Sequence, residues 1–482
     1  MNIKTGSITI YLCLTLTILL SLFAGMLKSV RTEGGRVMIA SAMDQGLFSL
    51  FAQYDKDLLD EYDLFYLDGG FGSKSLQMNR LYDTVRQDAL YSLNPDGHGN
   101  RNFFGADFLS GAITGYTLAT DQTGNSFVRQ ITEYMRQSLG VSGIQQLSNI
   151  LTGQTDKIKS LEHQKNQIST EDPVDAYEQE KQIAGESFPE TEEELRPHLS
   201  SGPEINPIEV ISNLRRMGIL GLVVTDPAQI SQYKITPSAL PSSRNLNQGM
   251  GVLPVAESNK SDMLLIIEYI MEKFPNYTSA DKKDGLTYQA EYIIGEKITD
   301  AENLKAVINR LIAIREASNF IYLNTSPSKK SQADTMAATL ASAMVLPIAT
   351  PVISLALSAC WAFAESILDI RELLDGGKIP LLKDDASWQL SLENLACLPD
   401  VLDSTRKSDS RGLDYNWYLR FLLFTKSQAH LVYTSMDLIE YNMNLKNPEI
   451  HFQIDNCVES LEVEGLWKLD SGNYSIRRSY GY

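Results

Sequence analysis

Apolar residues are most concentrated near the N-terminus, where residues 7–27 form an uninterrupted segment without a charge. An α-helix rises 1.5 Å per residue, so ~20 residues cross the ~30 Å hydrocarbon core of a bilayer. The segment therefore predicts a transmembrane helix, preceded by a short polar leader at residues 1–6.

Helical spacing of apolar positions continues beyond this segment, from Val37 through Leu47 to Leu59. We therefore expect the first helix to extend beyond the membrane as a stem, with a loosening at Gly34 and Gly35. The alternative is an ordinary core helix that follows a short turn next to the membrane. Both interpretations predict that the same apolar stripe is buried.

The rest of the chain is dominated by amphipathic patterns of helical period, with little strand pattern. Helices are predicted at 76–93, 125–139, 263–274, 286–295, 300–323 and 417–444, and one more begins at Asn206-Pro207. Asp300 is the expected N-cap of its helix. One or two short strands are predicted at 109–120, and a hairpin with its turn at 471–473 ends the chain. The fold class is therefore α+β, predominantly helical, with a small antiparallel sheet.

A second long uncharged stretch covers residues 336–364. It is rich in Ala, Ser and Thr, and Pro347 and Pro351 interrupt it. We interpret it as a broken helical hairpin in the core. The alternative is a second membrane span, but its flanking charges would then oppose the positive-inside rule if the body is external.

These patterns divide the chain into five regions. They are a cytoplasmic leader (1–6), a transmembrane helix (7–27), a stem helix with a first α+β region (28–155), an acidic, partly mobile linker or arm (156–205), and a mainly helical region with the apolar hairpin and the C-terminal β-hairpin (206–482).

The composition indicates a folded and strongly acidic protein. Hydrophobic residues make up 43% and charged residues 21% of the chain, which are globular values. A formal net charge of −18 argues against nucleic acid as a partner, because phosphate contacts need clustered Lys and Arg. It also disfavours lying flat on anionic lipid, so contact with the bilayer is expected through an inserted helix.

Candidate chemistry is sparse. The four cysteines and five histidines follow no metal-binding spacing, and no motif for a nucleophile or a phosphate loop is present. Acidic and basic residues on or beside apolar helices are explained by ion pairs or exposed positions: Glu291, Glu302, Arg315, Glu316 and Glu365. The sequence therefore predicts no catalytic, cofactor-binding or metal-binding residue, and a protein that is not an enzyme.

The leader and span resemble those of type IV prepilins and TadE/TadG-like pseudopilins of tight-adherence pili. Lys4 and Gly6 precede the apolar run, and in that group a peptidase cuts after such a Gly. The resemblance places the candidate processing site between Gly6 and Ser7. One departure is Tyr11, which stands where typical prepilins carry Glu.

Further segments resemble an uncharacterised pseudopilin-related family of Gram-positive bacteria. They are GSITIYLCLTLTILLSL, MIASAMDQGLFSLFAQYDKDLLDEYDLFYLD, NPIEVISNLRRMGILGLVVTDP, LTYQAEYIIGEKITDAENL and the closing RSYGY. The resemblance implies a membrane-anchored structural or assembly component of a tight-adherence-type pilus or secretion apparatus. Its partners would be the lipid bilayer, other pseudopilin-like membrane helices and the pilus or secretion machinery; the sequence identifies no small-molecule ligand. The alternative is a membrane-anchored extracytoplasmic binding or sensing module.

Two signals for orientation disagree. Lys28, Arg31 and Arg36 follow the span and outnumber Lys4 before it, which alone favours a cytoplasmic body. The pseudopilin resemblance implies the reverse, and long domains translocate largely regardless of charge. We therefore expect a single-pass protein with a cytoplasmic N-terminus and an extracytoplasmic body.

Overall fold

The structure is a computed structural model. It describes residues 5–93, 104–169, 171–187, 206–224, 226, 228, 230–251, 260–279, 285–343, 349–402 and 408–482, with the side chains at 5–7, 162, 184–187, 260 and 261 excepted. The fold is α+β and predominantly helical, as predicted.

Helices account for most of the described chain. In chain order they are α1 (Thr5–Phe51), α2 (Lys56–Tyr62), α3 (Met78–Leu93), α4 (Asp121–Ile168), α5 (Pro173–Ser187), α6 (Pro207–Met217), α7 (Leu220–Val223), α8 (Lys260–Lys273), α9 (Gln289–Gly295), α10 (Asp300–Thr325), α11 (Pro327–Ala343), α12 (Thr350–Leu374), α13 (Leu398–Val401), α14 (Tyr415–Phe424) and α15 (Gln428–Lys446).

The strands form a small antiparallel sheet around one central strand. They are β1 (Leu67–Asp68), β2 (Asp107–Leu118), β3 (Cys457–Leu469) and β4 (Gly472–Gly481). Strand β3 pairs with β2 along one edge and with β4 and β1 along the other. The predicted strand pattern at 109–120 is thus one continuous strand, and the C-terminal hairpin is confirmed.

The chain divides into two compact units. The first contains Met1–Tyr134, Ser238–Ser258 and Met436–Tyr482, and the second contains Met135–Pro237 and Asn259–Ser435. Helices α4 and α15 each contribute residues to both units.

The first unit packs the second half of α1 against α3 and one face of the sheet. Burial alternates along β3, which turns Leu461, Val463 and Trp467 toward this core. Helix α1 contributes Leu47 and Leu50, neither of which is exposed. Val37, which the sequence placed on the buried stripe, is instead 69% exposed.

The predicted loosening at Gly34 and Gly35 is wrong, because α1 is helical throughout this region. A Cβ on Gly34 would lie 2.7 Å from the Phe104 ring, and one on Gly35 would lie 2.9 Å from Leu469. The two glycines therefore serve the close approach of neighbouring side chains, and the surrounding packing keeps the helix intact.

The second unit is built around α12, which packs against α5, α6, α10 and α11. Helices α11 and α12 agree with the predicted broken hairpin at 336–364, although residues 344–348 lie outside the described chain. Most described residues of the predicted linker or arm at 156–205 are helical and belong to the end of α4 and to α5. Val174 and Tyr177 of α5 are buried in this unit, and residues 188–205 lie outside the described chain.

Two predicted helix boundaries need correction. The cap of α10 is Thr299, which forms a capping box with Glu302, and Asp300 is the first helical residue. The single helix predicted at 417–444 is two helices, because Ser427 caps a new one. Its Oγ accepts the His430 N–H over 3.3 Å, so the chain turns between α14 and α15.

Candidate functional site

The apolar side chains of helix α1 are exposed in its first half and largely buried in its second half. From Ile8 to Val30, its large apolar side chains are 53% to 71% exposed on all sides, whereas Leu47 and Leu50 are wholly buried. A helix that is apolar all round and unburied matches lipid rather than water as its surroundings. Its first half is therefore a candidate membrane span.

By length and composition alone, a second helix is also apolar enough to cross a membrane. In Ile8–Phe51, none of the most apolar stretch of 18 residues is buried. In Thr350–Leu374, 78% of the corresponding 18-residue stretch is buried inside the protein. A long apolar helix that is buried in protein is typical of a core helix. The second helix therefore needs no bilayer to cover its apolar side chains.

The predicted processing site lies at the start of α1. The backbone of Gly6 and Ser7 is in the first helical turn, and residues 1–4 of the leader lie outside the described chain. Cleavage between Gly6 and Ser7 stays a prediction.

Where α1 leaves its apolar half, polar contacts join it to the β3–β4 turn. Arg31 pairs with Asp470 over 3.3 Å, and the Thr32 Oγ1 donates to Ser471 Oγ over 2.8 Å. These contacts hold the turn beside the end of the candidate span.

The second unit contains a cluster of four charged side chains that are wholly buried: Arg315, Glu365, Asp369 and Lys383. Arg315 donates to Asp369 Oδ2 over 3.0 Å, and Lys383 Nζ lies 2.5 Å from Asp369 Oδ1 and also bonds Glu365. Two cations and two carboxylates make the cluster neutral, so it needs no further ion.

Backbone groups complete the cluster. Arg315 donates to the carbonyls of Pro380 and Leu381 over 2.8 and 2.9 Å, and Glu365 accepts the N–H groups of Gln389 and Leu390 over 2.9 and 2.8 Å. The charges of α10 and α12 therefore fix the irregular segment that follows α12.

The pKa values of the two carboxyl groups in this cluster are shifted in opposite directions. Burial opposes ionisation of Asp369, but Lys383 and Arg315 outweigh it and hold the pKa of the Asp369 carboxyl below its usual value. Burial, together with the charge of Asp369, raises the pKa of Glu365. Because each charge is already paired within the protein, the geometry is that of a structural ion-pair network.

Glu291 in α9 is a separate buried carboxylate. Its Oε1 accepts the Tyr415 hydroxyl over 2.8 Å and the Tyr277 N–H over 2.9 Å, whereas Oε2 has no hydrogen-bond partner among the described residues. Burial raises the pKa of Glu291 to about 7, against the two hydrogen bonds, and the nearby Asp300 charge adds to the rise. This group can therefore take up a proton near neutral pH.

The other two acidic candidates make contacts of their own. Glu302 belongs to the capping box of α10, and Glu316 forms an ion pair with Arg215. The sequence expectation of ion pairs or exposed positions is confirmed for both, since Glu316 is ion-paired and Glu302 is exposed. In the part of the chain that the structure describes, no group of three or more His, Cys, Asp or Glu side chains is arranged to hold a metal ion.

Residues 199–469, more than half of the chain, match DUF5702, a family of unknown function. The chain belongs to the DUF5702 family. No curated protein and no solved structure matches it.

The DUF5702 region contains all four members of the buried charge cluster and Glu291, whereas α1 precedes it. The resemblance to TadE/TadG-like pseudopilins depends partly on α1 and stays a prediction.

The sequence did not predict that Arg315 and Lys383 both form ion pairs with Asp369. One signal was available: Glu365 and Asp369 are four residues apart on an apolar helix, so both carboxylates face the same side. Two acids on one face of a buried helix require cations, but nothing in the sequence identifies Lys383, which follows α12 in an irregular segment.

Proposed function

We propose that this DUF5702 protein is a single-pass membrane protein that acts as a pseudopilin-like structural or assembly component of a tight-adherence-type pilus or secretion apparatus. The observation that carries the proposal is the division of one continuous helix, α1, into an exposed apolar half and a half packed on an antiparallel sheet. That layout is pilin-like, because it joins a membrane helix rigidly to a soluble body.

The exposed half of α1 offers a face for other membrane helices. Ser21, Gly25 and Ser29 follow one another at intervals of four residues. Apart from the adjacent residues and backbone of α1 itself, no described atom lies within 4 Å of the position that a Cβ on Gly25 would occupy. Small residues at this spacing let helix backbones approach closely in lipid. This supports pseudopilin-like helices as the partners.

The proposed orientation has a cytoplasmic N-terminus and an extracytoplasmic body. The prepilin-like leader supports it, and the cations after the span oppose it. Protease added to intact, wall-stripped cells is expected to degrade the body, including Tyr482, and to leave only the span. Full protection of the body would reverse the orientation.

The function is tested by replacing the face of the span while keeping the anchor. A deletion strain, which should lose pili or the secreted products, is complemented with the natural gene or with a version whose residues 8–27 are a uniform leucine helix. The natural gene should restore the phenotype. The leucine version should remain in the membrane yet fail, because it lacks the packing face.

Full rescue by the leucine helix would mean that α1 only anchors the body. That outcome favours the extracytoplasmic binding or sensing module and contradicts a pseudopilin-like role. An unchanged deletion strain, with normal pili and secretion, would contradict the proposal as well.

Processing of the leader is decided by the intact mass of the protein isolated from its own cells. Loss of residues 1–6 is a defined mass change, and Gly6→Leu should prevent it, because a bulky residue blocks close approach of a peptidase to the backbone. A natural protein that keeps its leader would be a permanent anchor, and thus an assembly partner instead of a fibre subunit.

A further inference from the structure

The first unit has a half-open cavity of about 340 Å³ directly beyond the apolar half of α1. It is lined by Leu27, Lys28, Arg31, Thr32, Phe104, Leu469 and Asp470. Its volume lies in the range of ~300–1,000 Å³ that is usual for small-molecule sites. We propose that this cavity binds the phosphodiester head group of an anionic phospholipid, an inference that depends on insertion of α1 in the bilayer.

The position of the cavity matches the head-group layer. Lys28 immediately follows the last residue of the apolar run, and the turn from Lys28 to Thr32 rises by ~6 Å. The polar layer on each side of the hydrocarbon core is ~5–8 Å thick. Lys28 and Arg31 therefore lie at the depth of lipid phosphates when residues 7–27 span the core.

The charge of the cavity also fits a phosphodiester. Among the lining residues, Lys28 and Arg31 carry two positive charges and Asp470 carries one negative charge, so the lining has the net charge of +1 that suits a singly charged phosphate. Arg31 remains 51% exposed beside Asp470, which is 61% exposed, so their ion pair is open to exchange with another anion. Arg guanidinium groups bind phosphate oxygens with two parallel hydrogen bonds.

The walls favour a lipid over free phosphate. Leu27, Phe104 and Leu469 line the same cavity as the cations. Apolar side chains beside a phosphate site match the glycerol and the first acyl carbons of a phospholipid, which inorganic phosphate lacks.

The site is built on fixed elements. Thr32 bonds Ser471, and Ser471 bonds the Tyr474 hydroxyl over 2.9 Å. Phe104 lies against Gly34, where a Cβ would meet its ring at 2.7 Å. The head group therefore meets a preformed surface, which reduces the cost of ordering.

The test uses the full chain in nanodiscs that contain phosphatidylglycerol and phosphatidylcholine, followed by release into detergent and native mass spectrometry. The natural protein should retain phosphatidylglycerol selectively. The double variant Lys28→Ala/Arg31→Ala should retain about tenfold less, because charge-assisted hydrogen bonds are lost. Arg36→Ala is the matched control, since Arg36 lies on the same helix, pairs with Glu33 and is absent from the cavity lining.

A second variant should change the retention of phosphatidylglycerol in the opposite direction. Asp470→Asn removes an anion that competes for Arg31, so phosphatidylglycerol retention should rise. A merely structural role of the Arg31–Asp470 pair would predict loss instead, and that loss would overturn the proposal.

Two more outcomes are decisive. Equal retention by the double variant and Arg36→Ala would overturn the site. Displacement of bound phosphatidylglycerol by millimolar inorganic phosphate or glycerol phosphate would identify a soluble anion as the ligand and overturn the lipid assignment. Extraction of the protein from membranes by alkaline carbonate tests the anchor separately, and release would overturn both inferences.

Discussion

Arg315 donates from Nε to Asp369 Oδ2 over 3.0 Å, and neither side chain is exposed to solvent. The pair joins α10 to α12 in the middle of the second unit. Taking both charges out of water costs several kcal/mol per ion, which their attraction and further hydrogen bonds offset. Such a pair contributes little net stability while intact, but it is expensive to break, because the remaining charge has no water to solvate it.

We predict that Arg315→Met destabilises the second unit by about 3–5 kcal/mol. The buried carboxylate of Asp369 then loses Arg315 and keeps its ion pair with Lys383. Arg315→Met combined with Asp369→Leu should cost less than the sum of the single changes, since Lys383 and Glu365 still pair with each other. Urea unfolding of the full chain measures both. Arg216→Met is the control: its partner Glu178 is exposed, so the loss should stay below about 1 kcal/mol.

A double variant as unstable as the sum of its parts would contradict this account of the cluster. It would mean that Arg315 and Asp369 stabilise the unit through separate contacts.

We predict that Glu291 makes stability depend on pH near neutrality. Its pKa rises from 4.5 to about 7 on folding, mainly through burial. Between these values the folded state holds a proton that the unfolded state has released, so stability falls as pH rises toward 7. The linked change is up to about 3 kcal/mol. The groups that influence this titration are Tyr277, Tyr415 and Asp300.

Glu291→Gln should abolish most of this dependence. Its amide oxygen still accepts the hydrogen bonds from Tyr277 and Tyr415, and it carries no charge to desolvate. Unfolding midpoints at pH 5.5 and 8 should therefore lie closer together than in the natural protein. Glu393→Gln, at an exposed position, controls for the loss of one carboxylate. The same slope in Glu291→Gln as in the natural protein would exclude Glu291 as its source.

Local signals were enough to locate most helices. Asn206 accepts the Ile208 N–H and Pro207 is the first helical residue, as the Asn-Pro pair predicts. The sequence also predicts the position of α10, but it favours Asp300 as the cap, whereas the cap is Thr299. Asp300 accepts the N–H groups of Thr287 and Tyr288, over 2.9 and 3.1 Å, and such contacts from an irregular segment leave no periodic pattern.

The sites were harder to predict than the elements. Composition alone is enough to identify the first half of α1 as a candidate span, because a long uncharged apolar run has few suitable environments other than the core of a bilayer. The buried cluster depends on Lys383, whose position is set by the packing of an irregular segment. The cavity at Lys28 depends equally on Asp470 of the β3–β4 turn, which lies far away in sequence.

We predict that Arg244 holds the segment that begins at Ser238 onto the rest of the first unit. It donates to Glu440 Oε2 over 2.8 Å, bonds Asp455 as well, and is only 15% exposed. Arg244→Met should cost about 3–5 kcal/mol, because two nearly buried carboxylates lose their cation. Burial already raises the pKa of Glu440, so the variant should lose less stability at acidic pH. Unfolding curves at pH 5 and pH 8 check both statements; equal losses would contradict the second.

The last prediction concerns the crossing of α1 and α3. A Cβ on Gly46 would lie 2.6 Å from the Val85 carbonyl oxygen and 3.3 Å from the Ala89 nitrogen. Because both atoms belong to the backbone of α3, no side-chain rotation relieves the clash, and the helices must separate. Gly46→Ala should therefore destabilise the first unit by about 1–3 kcal/mol and speed hydrogen exchange in α3. Gly25→Ala is the matched control on the same helix, since its Cβ would meet no described atom within 4 Å outside the adjacent residues and backbone of α1. If Gly46→Ala leaves exchange in α3 unchanged, the two helices are not in close contact at Gly46, and the junction that joins the candidate span to the first unit must depend on the sheet.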